Sequence, residues 1–172
     1  MQYLWRPMAV TDLPQVMAIA ERVHVGYFEA EEVFAERLAR FPRGCRMAVA
    51  RDGAACGYAI MHPWHLGQPP ALNRLLGDAC AAVDCLHLHD IALLPATRGA
   101  GLGRGAVDFM RTVMREEKLP HAALVAVHGS MGYWRNFGFE PWQNEARQLR
   151  EYLRSYGEGA VYMSMVAPAS NV

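Results

Sequence analysis

The feature that most constrains the fold of this chain is the segment 93–104, which reads Leu-Leu-Pro-Ala-Thr-Arg-Gly-Ala-Gly-Leu-Gly-Arg. An apolar, strand-like segment leads into it, its three glycines stand at every second position, and a helical pattern begins at Gly101 or Gly103. Glycines let a backbone approach a ligand closely, and the first turn of a helix offers N–H groups without a partner inside the helix. The segment therefore predicts an anion site for phosphate or pyrophosphate, with Arg98 and Arg104 as cationic donors.

Three phosphate-binding motifs compete for this loop, and two of them fit poorly. A Walker P-loop ends in Gly-Lys-Ser/Thr, but no lysine or hydroxyl residue stands at that place. A Rossmann fingerprint can be laid on Gly101, Gly103 and Ala106, but the acidic residue expected about 20 positions later is missing from the apolar segment 122–127. A nucleotide-binding enzyme is therefore a weaker interpretation, and an ordinary glycine-rich turn without a ligand is the other alternative.

The third motif, Arg/Gln-x-x-Gly-x-Gly/Ala, is matched in full by residues 98–103. With this loop the chain resembles the GNAT superfamily of acetyl-CoA-dependent N-acetyltransferases. Residues 5–7 and 11–13 are similar to the first strand and the first helix start of that family, and residues 57–59 are similar to its third strand. The Phe-Gly-Phe sequence at 137–139 is similar to the end of its last shared motif. The resemblance follows the family's order over most of the chain.

The resemblance implies a fold, a cosubstrate and a set of contacts. The fold is α/β (α+β), one domain over residues 1–172 with a mixed, largely antiparallel twisted sheet, a splayed central pair of parallel strands and flanking helices. The cosubstrate is acetyl-CoA, whose pyrophosphate is expected on the loop formed by Arg98, Gly99, Ala100, Gly101, Leu102, Gly103 and Arg104. Its pantetheine arm is expected to pair with Ile91, Ala92 and Leu93, in a gap between this strand and the strand at 122–127.

The hydrophobic pattern of the whole chain independently predicts alternating strands and helices, and so an α/β or α+β protein with a mixed sheet. Strands are expected at 3–7, 45–51, 55–62, 85–94, 122–127, near 139 and at 160–166. Helices are expected from position 11, over 31–40, from the glycine loop to about 118, and over 131–137. A short helix is also expected near 71–76, inside a connection over 63–84 whose length is typical of functional loops.

The strand before the glycine loop carries His87 and His89 on one face and leucines on the other. After Asp90 this alternation breaks, and the pattern predicts that Ile91 and Leu93 join the histidine face. Such an interruption often marks a β-bulge, and bulges occur beside active sites. The resembled family carries a bulge on this strand, which agrees with the pattern.

These two histidines are the candidate catalytic bases. Acetyl transfer needs a neutral amine, and a base with a pKa near the working pH supplies it. Members of the resembled family often place a glutamate nine or eleven positions before the first residue of the loop motif, where His89 and His87 stand here. His89 is preferred because it lies closer to the bulge. A hydrogen-bonded structural pair is the alternative; a zinc site lacks a third ligand at suitable spacing, so no metal is predicted.

The family's usual acid is a tyrosine four positions before the glycine of the terminal motif, and Trp134 stands there. An indole N–H donates a hydrogen bond but supplies no proton as an acid. Tyr133 is adjacent, but one helical step turns its side chain by about 100°. We expect Trp134 to pack against the thiol end of the cosubstrate, and water or Tyr133 to return the proton. This departure keeps open a non-catalytic CoA- or acyl-CoA-binding module on the same fold.

Charge and composition exclude several other functions. Seventeen basic and seventeen acidic residues give no net charge, so nucleic acid is not an expected partner. Lys118 is the only lysine, so a lysine nucleophile is not expected. Cys45, Cys56, Cys80 and Cys85 form no CxxC pair, and no apolar run reaches the roughly 18 residues of a membrane span. These features predict a cytoplasmic protein with reduced thiols and no membrane partner.

The acceptor is expected to be a primary amine of a small molecule or a peptide, acetylated by direct transfer. Glu29, Glu31 and Glu32 could attract a cationic amine, and a solvated charged face is the other interpretation of this cluster. Trp64 and the prolines of the 63–84 connection indicate an apolar wall beside the substrate. Hydrophobic residues make up 52% of the chain, which leaves apolar surface for a pocket or for a partner such as the second copy of a homodimer.

Overall fold

One mixed sheet crosses the computed structural model, which describes residues 2–77, 82–143 and 147–167. In the described part the sheet has seven strands: Tyr3–Pro7 (β1), Cys45–Ala50 (β2), Ala55–Trp64 (β3), Cys85–Leu93 (β4), His121–Ala126 (β5), Glu140–Pro141 (β6) and Val161–Val166 (β7). They lie side by side in the order β1-β2-β3-β4-β5-β7-β6. Strands β4 and β5 run parallel, and all other neighbours are antiparallel. The predicted mixed, largely antiparallel sheet is confirmed.

Helices cover both faces of this sheet. Their bounds are Leu13–Val23 (α1), Glu31–Arg40 (α2), Leu102–Glu116 (α3), Met131–Arg135 (α4) and Arg147–Arg154 (α5). Helices α1 and α2 bury an apolar stripe against β2, β3 and β4, in a core that includes Val16, Phe34, Met47, Tyr58 and Ile60. Helices α3 and α4 pack on the opposite face, in a core that includes Met61, Leu86, Met110, Met114 and Phe139. Each such buried side chain contributes about 1.5–3 kcal/mol of transfer free energy, so both faces are firmly covered.

The predicted strands and the main helices are confirmed, with two differences in the connections. The short helix expected near 71–76 is wrong, because this stretch forms a turn in which Asn73 has a φ of 55°. The side chain of Asn73 accepts a hydrogen bond from the Ala30 amide at 2.8 Å, and this long-range contact overrides local helix propensity. Helix α5 was not expected, because half of its residues are charged and only Leu149 is buried.

Strand β4 contains the predicted bulge. Its partner residues on β3 are Ile60 opposite Asp90 and Met61 opposite Leu88, which leaves His89 as the extra residue. A bulge of this kind leaves one residue unpaired and bends its strand. The unpaired residue is therefore His89, which the sequence favoured as the catalytic base.

The bulge changes which side chains share a face. Ala92 belongs to the core under α1 and α2, on the histidine side, whereas Ile91 packs against the core under α3 and α4. The expectation that Ile91 and Leu93 join the histidine face is therefore wrong. The extra residue at His89 shifts the alternation by one position, so that Asp90 and Ala92 take that face instead.

The two parallel strands separate at the bulge, and the resemblance implied such a separation. Pairing between β4 and β5 runs from Cys85 opposite His121 to Leu88 opposite Leu124 and then stops. Strand β4 nevertheless continues to Leu93, so its edge is open on the β5 side beyond the last pair. A gap between two splayed parallel strands is thereby built into the centre of the sheet.

Three of the four cysteines lie among the described residues. Cys45, Cys56 and Cys85 are free and buried, and burial raises the pKa of Cys45 and of Cys85 to about 12, so both remain protonated near neutral pH. Cys80 lies outside the described residues. Within the described ranges, no helix combines the length and the apolar character needed to span a membrane.

Candidate active site

A cavity of about 660 Å³ opens where β4 and β5 separate. Its walls are the open edge of β4, the glycine loop with the start of α3, the end of β5, helix α4 and the turn between α1 and α2. The volume is within the range of about 300–1,000 Å³ that is typical of cofactor and small-molecule sites. Of the residues predicted to bind the cosubstrate, those that line it are Ile91, Leu93, Arg98, Gly99, Gly101, Leu102, Gly103, Arg104 and Trp134. Ala92 and Ala100 do not line it.

The glycine loop forms the outer end of the cavity. Gly99 and Gly101 both have a φ of 79°, a conformation that side chains other than glycine rarely adopt, and Gly101 is the N-cap of α3. The first helical hydrogen bond runs from the Gly105 amide to the Gly101 carbonyl at 3.0 Å, so the amides of 102–104 have no acceptor within the helix. Free amides at a helix N-terminus favour an anion at this end of the cavity.

The edge of β4 supplies polar backbone groups to the gap. The Leu94 amide donates a hydrogen bond to the Cys56 carbonyl of β3 at 2.9 Å. Because consecutive residues of a strand turn their backbone groups to opposite sides, Ile91 and Leu93 direct theirs away from β3 and into the gap. Ala92 turns its backbone to β3 and buries its side chain under α1 and α2, which explains why it does not line the cavity.

Helix α4 closes the cavity on the β5 side with two aromatic side chains. Trp134 is buried and packs edge-on against Phe139, with ring centroids 5.7 Å apart. The hydroxyl of Tyr133 lies against the glycine loop: a Cβ atom placed on Gly103 would be only 2.0 Å from it. The structure therefore brings the Tyr133 hydroxyl to the loop end of the cavity, near Arg104. Burial raises the pKa of this tyrosine, and the charge of Arg104 offsets only part of that rise.

His89 pairs with a glutamate at the inner end of the cavity. Its Nε2 atom lies 3.0 Å from Oε2 of Glu29, and both residues line the cavity. The other carboxylate oxygen of Glu29 accepts a hydrogen bond from the Asn73 amide at 3.0 Å. The connection between β3 and β4 thus fixes the carboxylate that faces the histidine.

His87 lies behind this pair and does not line the cavity. Its ring is fully buried, with its centroid 5.6 Å from that of His62, whose ring lies 6.0 Å from His89. Burial is the main reason that the pKa of His87 lies well below its ordinary value and that of His62 falls to about 3. Both rings are therefore neutral at physiological pH. Among the described residues, no group of three or more His, Cys, Asp or Glu side chains is arranged to hold a metal ion.

A second ion pair stands next to the bulge. Nε2 of His24, just after α1, lies 2.7 Å from Oδ1 of Asp90, and the hydroxyl of Tyr58 donates a hydrogen bond of 2.5 Å to Oδ2. Burial opposes the charged form of His24, but the Asp90 carboxylate outweighs it and raises the pKa of this histidine. Burial also opposes ionisation of Asp90, but His24 and Tyr58 hold the pKa of its carboxyl below the ordinary value.

Several residues at the inner end of the cavity carried little or no signal in the sequence. The sequence contained three nearby glutamates and did not show which of them faces the site. In the structure Glu29 is buried, whereas Glu31 and Glu32 are exposed. No residue pattern pointed to His24, since its partner Asp90 is far away along the chain. The cavity is also lined by Tyr27, Leu72, His128 and Tyr156, which only the fold brings together.

The sequence itself assigns the chain to a family. A sequence profile described as the acetyltransferase (GNAT) family matches residues 13–139. The chain belongs to this GNAT family. The matched segment includes the glycine loop and both candidate histidines, so the resemblance stated from the motifs is confirmed. No curated protein sequence matches the chain.

Solved structures with the GNAT fold superpose on nearly the whole chain. Ard1 from Thermoplasma volcanium has a TM-score of 0.71 at 12% identity, over 98% of this chain and 99% of that one. The NatC complex bound to Gag peptide and CoA gives 0.72 at 16%, over 98% and 100%. The GphF GNAT-like decarboxylase in complex with isobutyryl-CoA gives 0.72 at 16%, over 96% and 100%. At such identities the likeness establishes the fold alone, and one fold hosts different reactions.

Proposed function

We propose that this GNAT protein transfers the acetyl group of acetyl-CoA directly to a primary amine, without a covalent acyl-enzyme. The observation that carries the proposal is the pair formed by Glu29 and His89, which stands in the same cavity as the glycine loop and the open edge of β4. Acylation of an amine by a CoA thioester needs a base at one end of its site and an anion-binding surface at the other. One cavity combines the two.

The donor set of the outer cavity fits a CoA thioester. Free amides at the start of α3, with Arg98 and Arg104 beside them, suit a pyrophosphate. The backbone groups of Ile91 and Leu93 face the gap and suit the amides of a pantetheine arm, which pairs with a strand edge as a further strand does. When bound, acetyl-CoA supplies an acyl carbon that is attached to a good leaving group.

The inner end of the cavity suits a cationic acceptor. The carboxylate of Glu29 lines it, and a buried carboxylate attracts an ammonium group more strongly than an exposed one because screening is weak. Leu72 and Tyr156 add apolar surface for the rest of the molecule. These contacts favour a primary amine of a small molecule or a peptide.

His89 is the base in this proposal. It takes a proton from the bound ammonium, and Glu29 stabilises the imidazolium that results and keeps the ring oriented. The neutral rings of His62 and His87 behind it add no opposing positive charge. This arrangement generates the neutral amine inside the cavity, next to the edge of β4.

A non-catalytic CoA- or acyl-CoA-binding module is the second candidate. The observation in its favour is Trp134, which offers no acid at the position where the family usually has a tyrosine. Such a module would retain the glycine loop and the strand edge, and it would bind acetyl-CoA without turning it over.

An amine panel separates the two candidates. Purified protein is mixed with acetyl-CoA and with alkylamines, amino acids, polyamines and peptides with free N-termini; thiol release and the mass of the acceptor are measured. We expect at least one amine to gain an acetyl group, with His89→Gln reducing the rate while CoA still protects that variant against heating. Protection by CoA without transfer to any amine would establish the binding module instead.

A further inference from the structure

The thiolate that leaves in the proposed reaction needs a proton, and three nearby aromatic residues are poor sources of it. Trp134 carries only an indole N–H. The hydroxyl of Tyr133 packs against Gly103, at the loop end of the cavity rather than at the inner end. The hydroxyl of Tyr156 donates to the Pro70 carbonyl at 2.8 Å, and burial raises its pKa, so it holds its proton tightly.

We propose that His24 is the general acid that gives its proton to the sulfur of the leaving CoA, an inference that rests on the proposed function. His24 lines the same cavity, and its side chain is 18% exposed. Its Nε2 atom lies 2.7 Å from Oδ1 of Asp90, the residue that follows the unpaired His89 on β4. No pattern in the sequence links His24 to Asp90, so only the fold reveals the pair.

The direction of the cosubstrate brings its thioester to this point. With the pyrophosphate on the amides at 102–104, the pantetheine arm runs back along β4, past Leu93 and towards Ile91. Pairing between β4 and β5 resumes at Leu88, so the gap ends there and the arm can go no further. The thioester end is therefore expected close to the bulge, beside Asp90, the partner of His24.

The surroundings of His24 favour its charged form. The attraction of Asp90, with smaller contributions from Glu29 and the Ile91 backbone, outweighs burial and raises the pKa of the imidazole. The titratable groups around the His24–Asp90 pair are Tyr27, Glu29, Tyr58, His89 and His128. His24 and His89 thus face different carboxylates, Asp90 at 2.7 Å and Glu29 at 3.0 Å.

The proposed step balances as follows. His89 first removes one proton from the ammonium and releases it to solvent. A C–N bond then forms between the acceptor nitrogen and the acetyl carbon, and the C–S bond breaks with its electron pair on sulfur, which His24 protonates. The second nitrogen proton restores His24 to its charged form, directly or through water. One turnover thus yields the amide, the free thiol of CoA and one proton.

The test titrates the thiol of bound CoA, which needs no acceptor amine. The thiolate absorbance of the CoA complex is measured from about pH 5 to about pH 10. The absorbance of the desulfo-CoA complex is then subtracted, which removes the contribution of the protein's own cysteine thiolates. An ordinary thiol has a pKa of about 8.5, and an adjacent imidazolium stabilises the thiolate. We expect the pKa of the bound thiol in the unmodified protein to lie about one unit below its value in His24→Gln.

Two further variants control this titration. His121→Gln makes the same change at the start of β5, outside the cavity, and is expected to leave the thiol pKa as it is in the unmodified protein. Asp90→Asn keeps an oxygen that can accept the Tyr58 hydrogen bond but removes the charge beside His24, and it is expected to give an intermediate thiol pKa. The same thiol pKa in the unmodified protein, His24→Gln and Asp90→Asn would overturn the inference.

Turnover separates this inference from the proposed function. With the best amine of the panel, His24→Gln is expected to lower kcat by about 10–100-fold, less than the 10²–10⁴ of a full acid because a thiolate leaves easily. The fall of kcat at alkaline pH, where His24 loses its proton, is expected to disappear in that variant. A shifted thiol pKa without transfer to any amine would overturn the proposed function only; transfer with an unshifted thiol pKa and an unchanged kcat profile would overturn the role of His24 only.

Discussion

Nε2 of His89 lies 3.0 Å from Oε2 of Glu29, in a pair of side chains that expose 1% and 5% of their surface. The pair joins the bulge of β4 to the turn before α2. Because the Asn73 amide donates a hydrogen bond to Glu29, the carboxylate has a fixed position beside the imidazole. A fixed carboxylate orients the ring and stabilises its charged form, which is the support that a catalytic histidine needs.

Replacing the two strand histidines separately tests which of them is the base. His89→Gln is expected to lower kcat by about 10²–10⁴-fold, the usual contribution of a general base. The loss is expected to be smallest at high pH, where the free amine no longer needs a base. Steady-state rates across the pH range with a fixed amine provide the measurement.

His87→Gln is the matched control, since it makes the same change two positions away on the same face. His87 does not line the cavity, so its loss is expected to lower stability more than kcat. Thermal unfolding of both variants distinguishes the two effects. A large fall in kcat for a stable His87→Gln, with His89→Gln fully active, would transfer the role of base to His87.

Glu29→Gln tests the carboxylate. Glutamine keeps an oxygen that can accept from the Asn73 amide but removes the charge that would attract the ammonium and support His89. We expect the KM for the amine to rise about tenfold and kcat to fall as well, since one charge within about 4 Å contributes on the order of 1–4 kcal/mol at high effective dielectric. Glu31→Gln removes an exposed carboxylate of the same segment and is expected to leave both constants unchanged. Equal effects of the two variants would contradict the role of Glu29.

Gly101→Val tests the anion site. The side chain would stand at the N-cap of α3, where the backbone amides face the cavity, and it would also strain a residue whose φ is 79°. The variant is expected to lose protection by CoA against heating, which in the unmodified protein follows RT ln(1 + [L]/Kd), about 2.7 kcal/mol at a hundredfold excess of ligand over Kd.

Gly53→Val provides the control for backbone strain. Gly53 has a φ of 86°, and a Cβ atom on it, as on Gly101, would have no heavy atom of another part of the chain within 4 Å. It lies in the hairpin between β2 and β3, away from the cavity. Both variants are expected to be destabilised by a similar amount without ligand. Only Gly101→Val is expected to lose the shift on addition of CoA; undiminished protection in that variant would reject the assignment of the loop.

The outer half of the site could be predicted from the sequence, because its signals are local. A glycine loop between a strand and a helix places free backbone amides at a helix N-terminus through consecutive residues, and the break in alternation after Asp90 indicated the bulge on β4. The pattern did not show which residues after the bulge share the face of the histidines, because that depends on which residue of β4 remains unpaired. The extra residue is His89, so Ala92 rather than Ile91 shares its face.

The inner half of the site could not be predicted, because its contacts are long-range. Glu29 meets His89, and His24 meets Asp90, only after α1 and its following turn pack across the bulge. Charge in the sequence identified a cluster of three glutamates but not the one that turns inward. By spacing alone, His87 and His89 were equivalent candidates. The cavity distinguishes them, because His89 lines it and His87 does not.

Two substitutions in α4 test the residues at the unusual acid position. Tyr133→Phe removes a hydroxyl that lies at the loop end, so it is expected to lower kcat by less than about tenfold, well below the 10²–10⁴ of a general acid. Trp134→Ala is expected to raise the KM for acetyl-CoA instead, because it removes buried packing from the cavity wall. A thousandfold fall in kcat for a well-folded Tyr133→Phe, on the order of a full acid contribution, would make Tyr133 the acid.

The buried, neutral histidines predict how stability depends on pH. The pKa of His62 is lowered to about 3 in the folded protein by burial, whereas an unfolded histidine titrates at about 6.5. Between these values the unfolded chain binds more protons than the folded one, so the free energy of unfolding rises with pH and is lost as the pH falls below about 6.5. His87, whose pKa is also lowered, adds a loss of the same sign.

Denaturant titrations from about pH 4.5 to about pH 6.5 measure this effect, which amounts to at most about 1.4 kcal/mol per pH unit for each neutral histidine. His62→Leu removes one titrating group from the core and is expected to reduce that slope, even if the variant is less stable at every pH. An unchanged slope in His62→Leu would mean that His62 is not held neutral, and that the ring beside His89 carries a charge that opposes protonation of the base.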